Sequence, residues 1–513
     1  MVGKSKGRGA SRYARYPAAA VLILVLVLGV GSDGLAPTQH YPGPVPLLVS
    51  GLIGDRSSVL QVSPGEARGA SYLPSSNVLR LPDGRLRYLP PGSAEALTVP
   101  PDDPGAAAAA AESRAWLAEG TVPGENDVER RISERALLDL LLLTRPNGAA
   151  LAGPHSRWGY VWPRDASFVS VAFAATGHHE ESYEILAFLA DAQEPDGTWE
   201  ARYNADGTPV PDGRPRQLDA AGWFPWAAWY WYVTGGHREG IETLWPAARD
   251  AADAAVAALG ADGLPPGGAD YWEAETWRPN LGTAAPLRTG LRAAADLARR
   301  LGHGSDARRY AQAAARLDGA IRREFAPIGY PRTTDPGSGA DAAVNFLAPP
   351  FAPPAPRVEA EIAEAAKRLR VPNGGLLPGE NWPHDPTVAW TPETALFALS
   401  ASASGDEQTA DRWLGWLAAH RTTLGAFPEK VDGDGEPKSA APLGWTESIV
   451  VLSLAAEDGS LPVPPTSEPA ETAGGALPVA VGALICAGAV ALAARYKGAI
   501  RPRWRPGRGS RRP

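Results

Sequence analysis

The feature that most constrains this chain is a succession of about twelve segments with helical periodicity, from Asp127 to about residue 456. Examples are VERRISERALLDLLLLT, EESYEILAFLADAQ and SDARRYAQAAARLDGAIRREF, and Gly/Pro loops separate them. Almost no segment alternates apolar and polar residues as a half-buried strand does. About six pairs of helices favour an all-α fold built as a closed ring of hairpins, an (α/α)6 barrel. An open α-solenoid is the competing architecture, but the unequal loops argue against a regular repeat.

The loops before alternate helices carry the chemically useful residues. They read RWGYVWPRD, RPRQLDAAGW, DYWEAETWRP, PGENWPHDPTVAW and FPEKVDGDGEPKSAAPLGW. In a ring of helical hairpins every second helix points the same way, so these loops would open on one face. That face would gather Trp, Tyr, Asp, Glu and Arg in one concavity, which is typical of a carbohydrate cleft. Among the aromatic residues of AAGWFPWAAWYWYV, most are expected in the core, with Trp223 the best candidate for the cleft.

Two glutamates have surroundings that suit glycoside hydrolysis. That reaction needs one protonated carboxyl to release the leaving oxygen and one ionised carboxylate to activate water. Glu273, in ADYWE, is flanked by aromatic residues that would disfavour its ionised form by desolvation. Glu429, in FPEK, has an adjacent lysine and an open Gly-rich loop, which favour its ionised form. Most of the 57 acids are expected to be solvated surface groups.

Four short motifs, in order over about Asp127 to Ala456, resemble glycoside hydrolase family 15, the glucoamylase-like enzymes. They are W-x-R-D at Trp162–Asp165, Q-x-D-x-x-G from Gln217 to Gly222, D-x-W-E at Asp270–Glu273, and P-E-K at 428–430 followed by P-L-G-W at 442–445. Each motif is weak by itself. Their common order and plausible spacing make the resemblance a strong signal.

The resemblance implies an (α/α)6 barrel and an inverting, exo-acting hydrolase of α-glucosidic bonds at non-reducing ends. In that interpretation Glu273 is the general acid and Glu429 is the general base that activates water. A charged fork and acceptor pair, Arg164 and Asp165, would hold hydroxyls of the terminal sugar. The implied substrate-binding residues are Arg164, Asp165, Trp158, Tyr160, Trp162, Gln217, Asp219, Trp272 and Trp445.

Two positions depart from the family pattern and leave substrate preference open beyond the first sugar. Ala274 stands where a second acid often follows the general acid, and Lys430 replaces a glutamine. Two alternatives therefore stay open. One is hydrolysis of another α-linked glycan such as trehalose, and the other is a catalytically inactive glycan-binding protein of the envelope.

Both ends of the chain differ from the region between them. Thirteen of the 49 Lys and Arg residues lie before Asp33 or after Glu471, whereas all 57 acids lie between. The middle region therefore has an excess of acids, which argues against nucleic-acid binding. The uncharged run at 476–494, followed by basic residues, predicts a transmembrane helix with a cytoplasmic tail and an extracytoplasmic catalytic region. The sequence is therefore interpreted as a membrane-anchored bacterial member of the family.

By composition the chain divides into six parts. These are a signal peptide or signal anchor at 1–35, a Pro/Gly-rich region at 36–125, the barrel at 126–457, a linker at 458–475, the membrane helix at 476–494 and a basic tail at 495–513. The short irregular N-terminal region is expected to hold a hairpin around Pro82-Asp83-Gly84 and a helix that starts in the alanine run at 106–111. The eight His and the acids of VDGDGEP lack metal-ligand spacing, so neither a metal nor an organic cofactor is expected.

Overall fold

The computed structural model describes residues 48–155, 157–459 and 461–466. The predicted signal segment, transmembrane helix, basic tail and most of the linker lie outside these residues. Among the described residues, no helix combines the length and the apolar character that a membrane span requires. The helices α1 to α12 are Pro104–Glu119, Asp127–Leu143, Pro163–Ala175, His179–Asp191, Ala220–Thr234, Arg238–Ala258, Leu281–Leu301, Gly304–Glu324, Pro356–Arg368, Thr391–Ala403, Glu407–Ala419 and Gly444–Asp458.

Six helical elements form a closed inner ring. In order they are α3, α5, α7, the 3-10 helix Ala342–Leu347, α10 and α12, and α12 packs back on α3. Each packs most extensively on one outer helix: α3 on α4, α5 on α6, α7 on α8, the 3-10 helix on α9, α10 on α11 and α12 on α2. The sequence prediction of a ring of helical hairpins is confirmed by this packing.

The burial of each helix follows from its place in the ring. Every residue of α5 from Ala220 to Trp231 is buried, whereas α9 buries only Val358 and Ala365. A helix that is apolar all round must be covered on all sides, and an amphipathic one can face water. The aromatic residues of α5 therefore lie in the core, as expected. The prediction that Trp223 is the best candidate for the cleft is wrong, because the residue is 0% exposed and its ring contacts Phe168 and Phe346 edge to face.

The all-α prediction needs one correction, because short strands lie before and between the helices. Strands β1 to β9 are Gly51–Gly54, Val59–Val62, Ser71–Tyr72, Leu79–Arg80, Leu86–Tyr88, Leu97–Val99, Ala389–Trp390, Lys430–Val431 and Pro437–Lys438. Strands β3 to β6 form a four-stranded antiparallel sheet, and the predicted hairpin is its β4–β5 pair. The alanine run lies in α1, as predicted. Strands of two to four residues are too short to show alternation in a sequence.

The loops that precede the inner helices are joined to one another at one end of the barrel. Bridges link residues 161 with 203, 217 with 269, 280 with 333, and 341 with 379. Strand β7, just before α10, pairs with β8, just after residue 429, with Trp390 opposite Lys430. The N–H of Gly444 donates to the carbonyl oxygen of Ala152 (2.8 Å) and closes the circle. This end of the barrel is therefore one hydrogen-bonded collar of loops that carries the site.

Candidate active site

Arg164 is the centre of a buried polar group, here called the Arg164 cluster, which comprises Arg164, Asp165, Gln217, Asp219 and Trp445. The guanidinium Nη1 donates to Gln217 Oε1 (2.7 Å) and lies 3.7 Å from Asp219 Oδ2, while Nη2 lies 3.0 Å from Asp165 Oδ2. Its plane also lies over the Trp445 ring, 4.7 Å from the centroid. The collar thus brings together residues from the starts of α3, α5 and α12.

Burial sets the charge balance of this cluster. Arg164, Asp165 and Asp219 are all at most 6% exposed. Burial raises the pKa of Asp165 and of Asp219, and the Arg164 cation opposes that shift in both. One buried cation, Arg164, is therefore shared between two acids. A ligand that binds through hydroxyl groups adds no further charge to this buried cluster.

Several buried polar atoms in and around this cluster have no hydrogen-bond partner within the described residues. They are Arg164 Nε, Gln217 Nε2, Asp341 Oδ2, Glu393 Oε2 and the indole Nε1 atoms of Trp272, Trp382 and Trp445. Buried polar groups in proteins are normally paired, and a concentration of unpaired ones calls for an explanation. A polyhydroxylated ligand supplies both donors and acceptors for such a set.

Glu273 lies on a tight turn that presents its carboxylate beside Trp162. Its backbone N–H donates to Asp270 O (2.8 Å), and its φ is 58°, in the left-handed region that favours glycine. Trp162 Nε1 donates to Glu273 Oε1 (2.6 Å), and Arg214 forms an ion pair with the other carboxylate oxygen. The side chain is 24% exposed. Glu273 is therefore partly exposed and paired with two polar groups, which corrects the expectation of a carboxyl desolvated among aromatic rings.

The same turn is held from behind by Arg332. The guanidinium donates to both carboxylate oxygens of Asp270, lies 3.7 Å from the centroid of the Trp272 ring, and donates to Ala274 O (3.3 Å). These three residues flank Glu273 on both sides. A planar fork that pairs with a carboxylate and stacks on an indole at once is a contact that lysine cannot reproduce.

Glu429 directly precedes β8, in the segment between α11 and α12. Its carboxylate accepts a hydrogen bond from Ser439 Oγ and lies 3.5 Å from Lys430 Nζ. Its backbone N–H donates to Ala440 O (2.7 Å), and its carbonyl oxygen accepts from Thr391 N (3.1 Å). The side chain is 13% exposed. Glu429 therefore has a hydroxyl and an ammonium group as its side-chain partners.

A row of indoles connects the loops of the two glutamates. The Trp272 ring lies 4.8 Å from that of Trp382, which lies 4.9 Å from that of Trp390, both edge to face. Lys430 Nζ lies 4.1 Å from the centroid of Trp390. These Trp residues form the aromatic wall of the site. The sequence motifs did not single out Trp382 and Trp390, although both lie in the quoted loop PGENWPHDPTVAW.

The remaining predicted residues are Trp158 and Tyr160, and the Tyr160 ring lies 6.3 Å from that of Trp162. Trp158 and Tyr160 are partly buried, and the Arg202 guanidinium lies 4.3 Å from the Tyr160 centroid and 5.1 Å from that of Trp162. Sequence reasoning also missed two buried acids. Asp341 accepts a hydrogen bond from Tyr271 Oη (2.7 Å), and burial together with Asp270 raises the pKa of Asp341 to about 7. The other buried acid is Glu393.

The described residues offer no group of three or more His, Cys, Asp or Glu side chains arranged to hold a metal ion. The site supplies carboxyls, hydrogen-bond donors and aromatic rings. Glu273 and Glu429 belong to different loops of one collar, and the Arg164 cluster belongs to the same collar. This arrangement can bind a sugar and transfer protons to and from it.

Comparison with known proteins agrees with this chemistry. Residues 132–388, about half of the chain, match the family profile described as glycosyl hydrolases family 15. A curated relative, an uncharacterized glycosyl hydrolase of Methanocaldococcus jannaschii, is 24% identical over 361 residues. The matched region is 65% of this chain and 57% of that protein, so the chain spans little more than half of the relative's length.

Solved structures share the fold at low sequence identity. A bacterial glucoamylase complexed with acarbose has a TM-score of 0.56 at 18% identity, over 71% of this chain and 63% of that one. A wild-type glycosidase has a TM-score of 0.54 at 20% identity, over 64% and 96%. The glucoamylase of Hypocrea jecorina has a TM-score of 0.51 at 17% identity, over 64% and 72%. The profile match over half of the sequence, on a helical barrel of this kind, shows that the chain belongs to glycosyl hydrolases family 15.

Proposed function

We propose that this chain is an inverting, exo-acting glycoside hydrolase that releases glucose from the ends of α-linked glucans or oligosaccharides. The observation that carries the proposal is the arrangement of two carboxylates, Glu273 and Glu429, on separate loops of the collar that also holds the Arg164 cluster. The acarbose complex of a bacterial glucoamylase with the same fold supports a sugar-like ligand at such a site.

In this proposal the two glutamates divide the proton transfers. Glu273, once protonated, gives its proton to the glycosidic oxygen as the bond to the anomeric carbon breaks. Glu429 takes a proton from a water molecule, whose oxygen attacks that carbon from the opposite face. One bond to carbon forms as one breaks, and the configuration inverts. A separation of about 6.5 to 9.5 Å between the carboxyls leaves room for that water.

Because Arg214 forms an ion pair with Glu273, the ability of Glu273 to act as an acid depends on whether substrate is bound. A glutamate with a guanidinium against it holds its negative charge and makes a poor acid. The Arg214 side chain is 37% exposed and also contacts Asp212 Oδ2 (3.1 Å) through its Nε atom. We infer that the leaving sugar displaces the Arg214 Nη1 atom from Glu273 while the contact with Asp212 remains, after which Glu273 can hold a proton.

Location is part of the proposal. The acidic barrel would act outside the cytoplasm, tethered by the uncharged segment at 476–494 with its basic tail inside. The support is the charge distribution of the sequence. Protease treatment of intact cells that carry a tag at each end should remove the barrel and spare the C-terminal tag. Cleavage of the C-terminal tag in intact cells would refute this topology.

The proposed activity is tested by the purified full-length chain with maltose, malto-oligosaccharides, isomaltose and trehalose, with proton NMR of the released sugar. Initial release of β-glucose from an α-linked substrate is the expected result, and the substrate that reacts identifies the linkage. Release of α-glucose would contradict inversion. A folded chain that releases sugar from none of them would favour the inactive glycan-binding alternative.

A further inference from the structure

Glu393 is a buried carboxyl that the proposed mechanism does not use. It lies in the first turn of α10 and is only 3% exposed. Its Oε2 atom has no hydrogen-bond partner within the described residues. A carboxyl oxygen that is left unpaired in the interior costs free energy, so its retention calls for a ligand or a role.

The backbone fixes Glu393 relative to the proposed base. Thr391 N donates to Glu429 O (3.1 Å). The hydroxyl groups of Thr391 and Thr446 are hydrogen-bonded at 2.8 Å, and Thr446 follows Trp445 in the chain. The first turn of α10 is thus attached both to the Glu429 backbone and to the start of α12. Glu393 therefore has little freedom to move away from the site.

The charges around Glu393 come from three separate elements. Glu429 faces it from the loop before β8, Asp341 from the start of the 3-10 helix, and Arg164 from the first turn of α3. Two of these groups are acids, and the single cation is already shared with Asp165 and Asp219. Burial, followed by the charge of Glu429, raises the pKa of Glu393 to about 8. The surroundings of Glu393 therefore favour its neutral, protonated form.

We propose that Glu393 is a third carboxyl of the sugar site, which in its protonated form hydrogen-bonds to a hydroxyl of the sugar held by Arg164. A neutral carboxyl has one O–H donor and one carbonyl acceptor, which match the two roles of a hydroxyl. It also places no second negative charge beside Glu429. This inference rests on the proposed function, because it needs a sugar at the Arg164 cluster.

The experiment compares Glu393→Gln and Glu393→Ala with the wild type in the full-length chain. The Gln variant keeps a neutral donor and acceptor, and the Ala variant removes both. Glu457→Gln is the matched control: Glu457 is half-buried, with a pKa raised to about 7 by burial and Glu129, but it lies near the far end of α12 from Trp445. Glucose binding is measured by tryptophan fluorescence at pH 6.0 and 8.5, with KM for the hydrolysed substrate alongside, and circular dichroism checks folding.

At pH 6.0 we expect the Ala variant to bind glucose about tenfold more weakly, as loss of a buried hydrogen bond predicts. The Gln variant should stay within about threefold of the wild type. From pH 6.0 to 8.5 the wild type should lose more affinity than the Gln variant, because only the wild type ionises at this position. The control should bind as the wild type does at both pH values.

Two results would overturn the inference: an Ala variant with unchanged affinity, or a Gln variant as weak as Ala at pH 6.0, which would require an anionic Glu393. Should the Ala variant not fold, the pH ratio of wild type to Gln variant decides alone. A wild type that hydrolyses maltose while both variants keep its KM refutes this inference and leaves the proposed function intact. Glucose binding that depends on Glu393, without hydrolysis of any substrate, supports the inference and refutes the proposed hydrolysis.

Discussion

The guanidinium of Arg332 donates two hydrogen bonds to the carboxylate of Asp270, at 2.9 and 2.8 Å, across 62 residues of sequence. Asp270 in turn accepts from the N–H of Trp272 (3.0 Å), and its carbonyl oxygen accepts from that of Glu273. The left-handed turn that presents Glu273 is therefore held by a residue from another loop. Arg332 acts through Asp270 and is a positioning residue.

Substitution of Arg332 should lower kcat much more than it changes KM. Without the hydrogen bonds from Arg332 to Asp270, the Glu273 turn can relax. A small misplacement of a reacting group lowers the rate by about a hundredfold. We expect that loss in Arg332→Ala and a smaller one in Arg332→Lys, which keeps the charge but not the fork. Steady-state kinetics is the measurement, and Arg238→Ala, in an exposed pair with Glu242, is the control. Equal kinetics in wild type and Arg332→Ala would remove this role.

Glu273→Gln and Glu429→Gln should each lower kcat by about a hundred- to ten-thousand-fold, because each removes a proton transfer. Binding of glucose should persist, since the Arg164 cluster and the aromatic wall are untouched. The controls are Glu275→Gln and Glu436→Gln, exposed residues close in sequence to each site residue. Undiminished turnover in either site variant would exclude that residue from the mechanism.

Arg214→Ala should raise kcat/KM, because the substrate no longer has to displace this side chain from Glu273. The gain should be modest, within about tenfold, since Arg214 is 37% exposed and solvent screens the pair. Arg216→Ala is the control on the same loop, because Arg216 pairs with Glu200 and Asp196 instead. Steady-state kinetics is the measurement, and an unchanged kcat/KM would indicate that the ion pair does not control the acid.

Stability should fall as pH rises from 6.5 to 8.5. The pKa values of Glu393, at about 8, and of Asp341 and Glu457, at about 7, are raised chiefly by burial. In this pH range the folded chain binds more protons than the unfolded chain, so deprotonation favours unfolding. The melting temperature, followed by circular dichroism, should decrease across the range, and the decrease should be smaller in Glu393→Gln. A melting temperature that rises toward pH 8.5 would contradict this sign.

Helices α5 and α7 approach closely at two glycines, and this contact should not tolerate a methyl group. A Cβ on Gly222 would lie 2.2 Å from Pro286 O, and one on Gly290 would lie 2.4 Å from Gly222 O. Gly222→Ala should therefore destabilise the chain by about 1 to 3 kcal/mol. Gly319→Ala is the control, because a Cβ there, within α8, meets nothing within 4 Å; this change should stabilise by about 0.5 to 1 kcal/mol. Urea titration measures both, and equal effects would contradict the close approach.

Much of the barrel could be predicted from the sequence because helices depend on nearby residues. Their apolar periodicity marks the buried face, and local signals mark the ends, such as the capping box of Asn126 and Glu129 before α2 and the left-handed Gly302 after α7. The alternation of inner and outer helices predicted that the loops rich in Trp, Tyr, Asp, Glu and Arg lie on one face. Short motifs pointed to Glu273, Glu429 and the Arg164 cluster. The short strands were not predicted, because two to four residues are too few to show a period.

The sequence by itself therefore determined the helical ring and which loops carry the chemistry, since both follow from patterns within a few residues. Only the tertiary structure decided the partners of each functional group: Arg332 on Asp270, Arg214 on Glu273, and Trp382 against Trp272. These residues lie from 59 to 110 positions apart, and no local pattern links such pairs. Closure of the ring brings them within a few ångströms, because each inner helix fixes the loop before it against the loop of its neighbour.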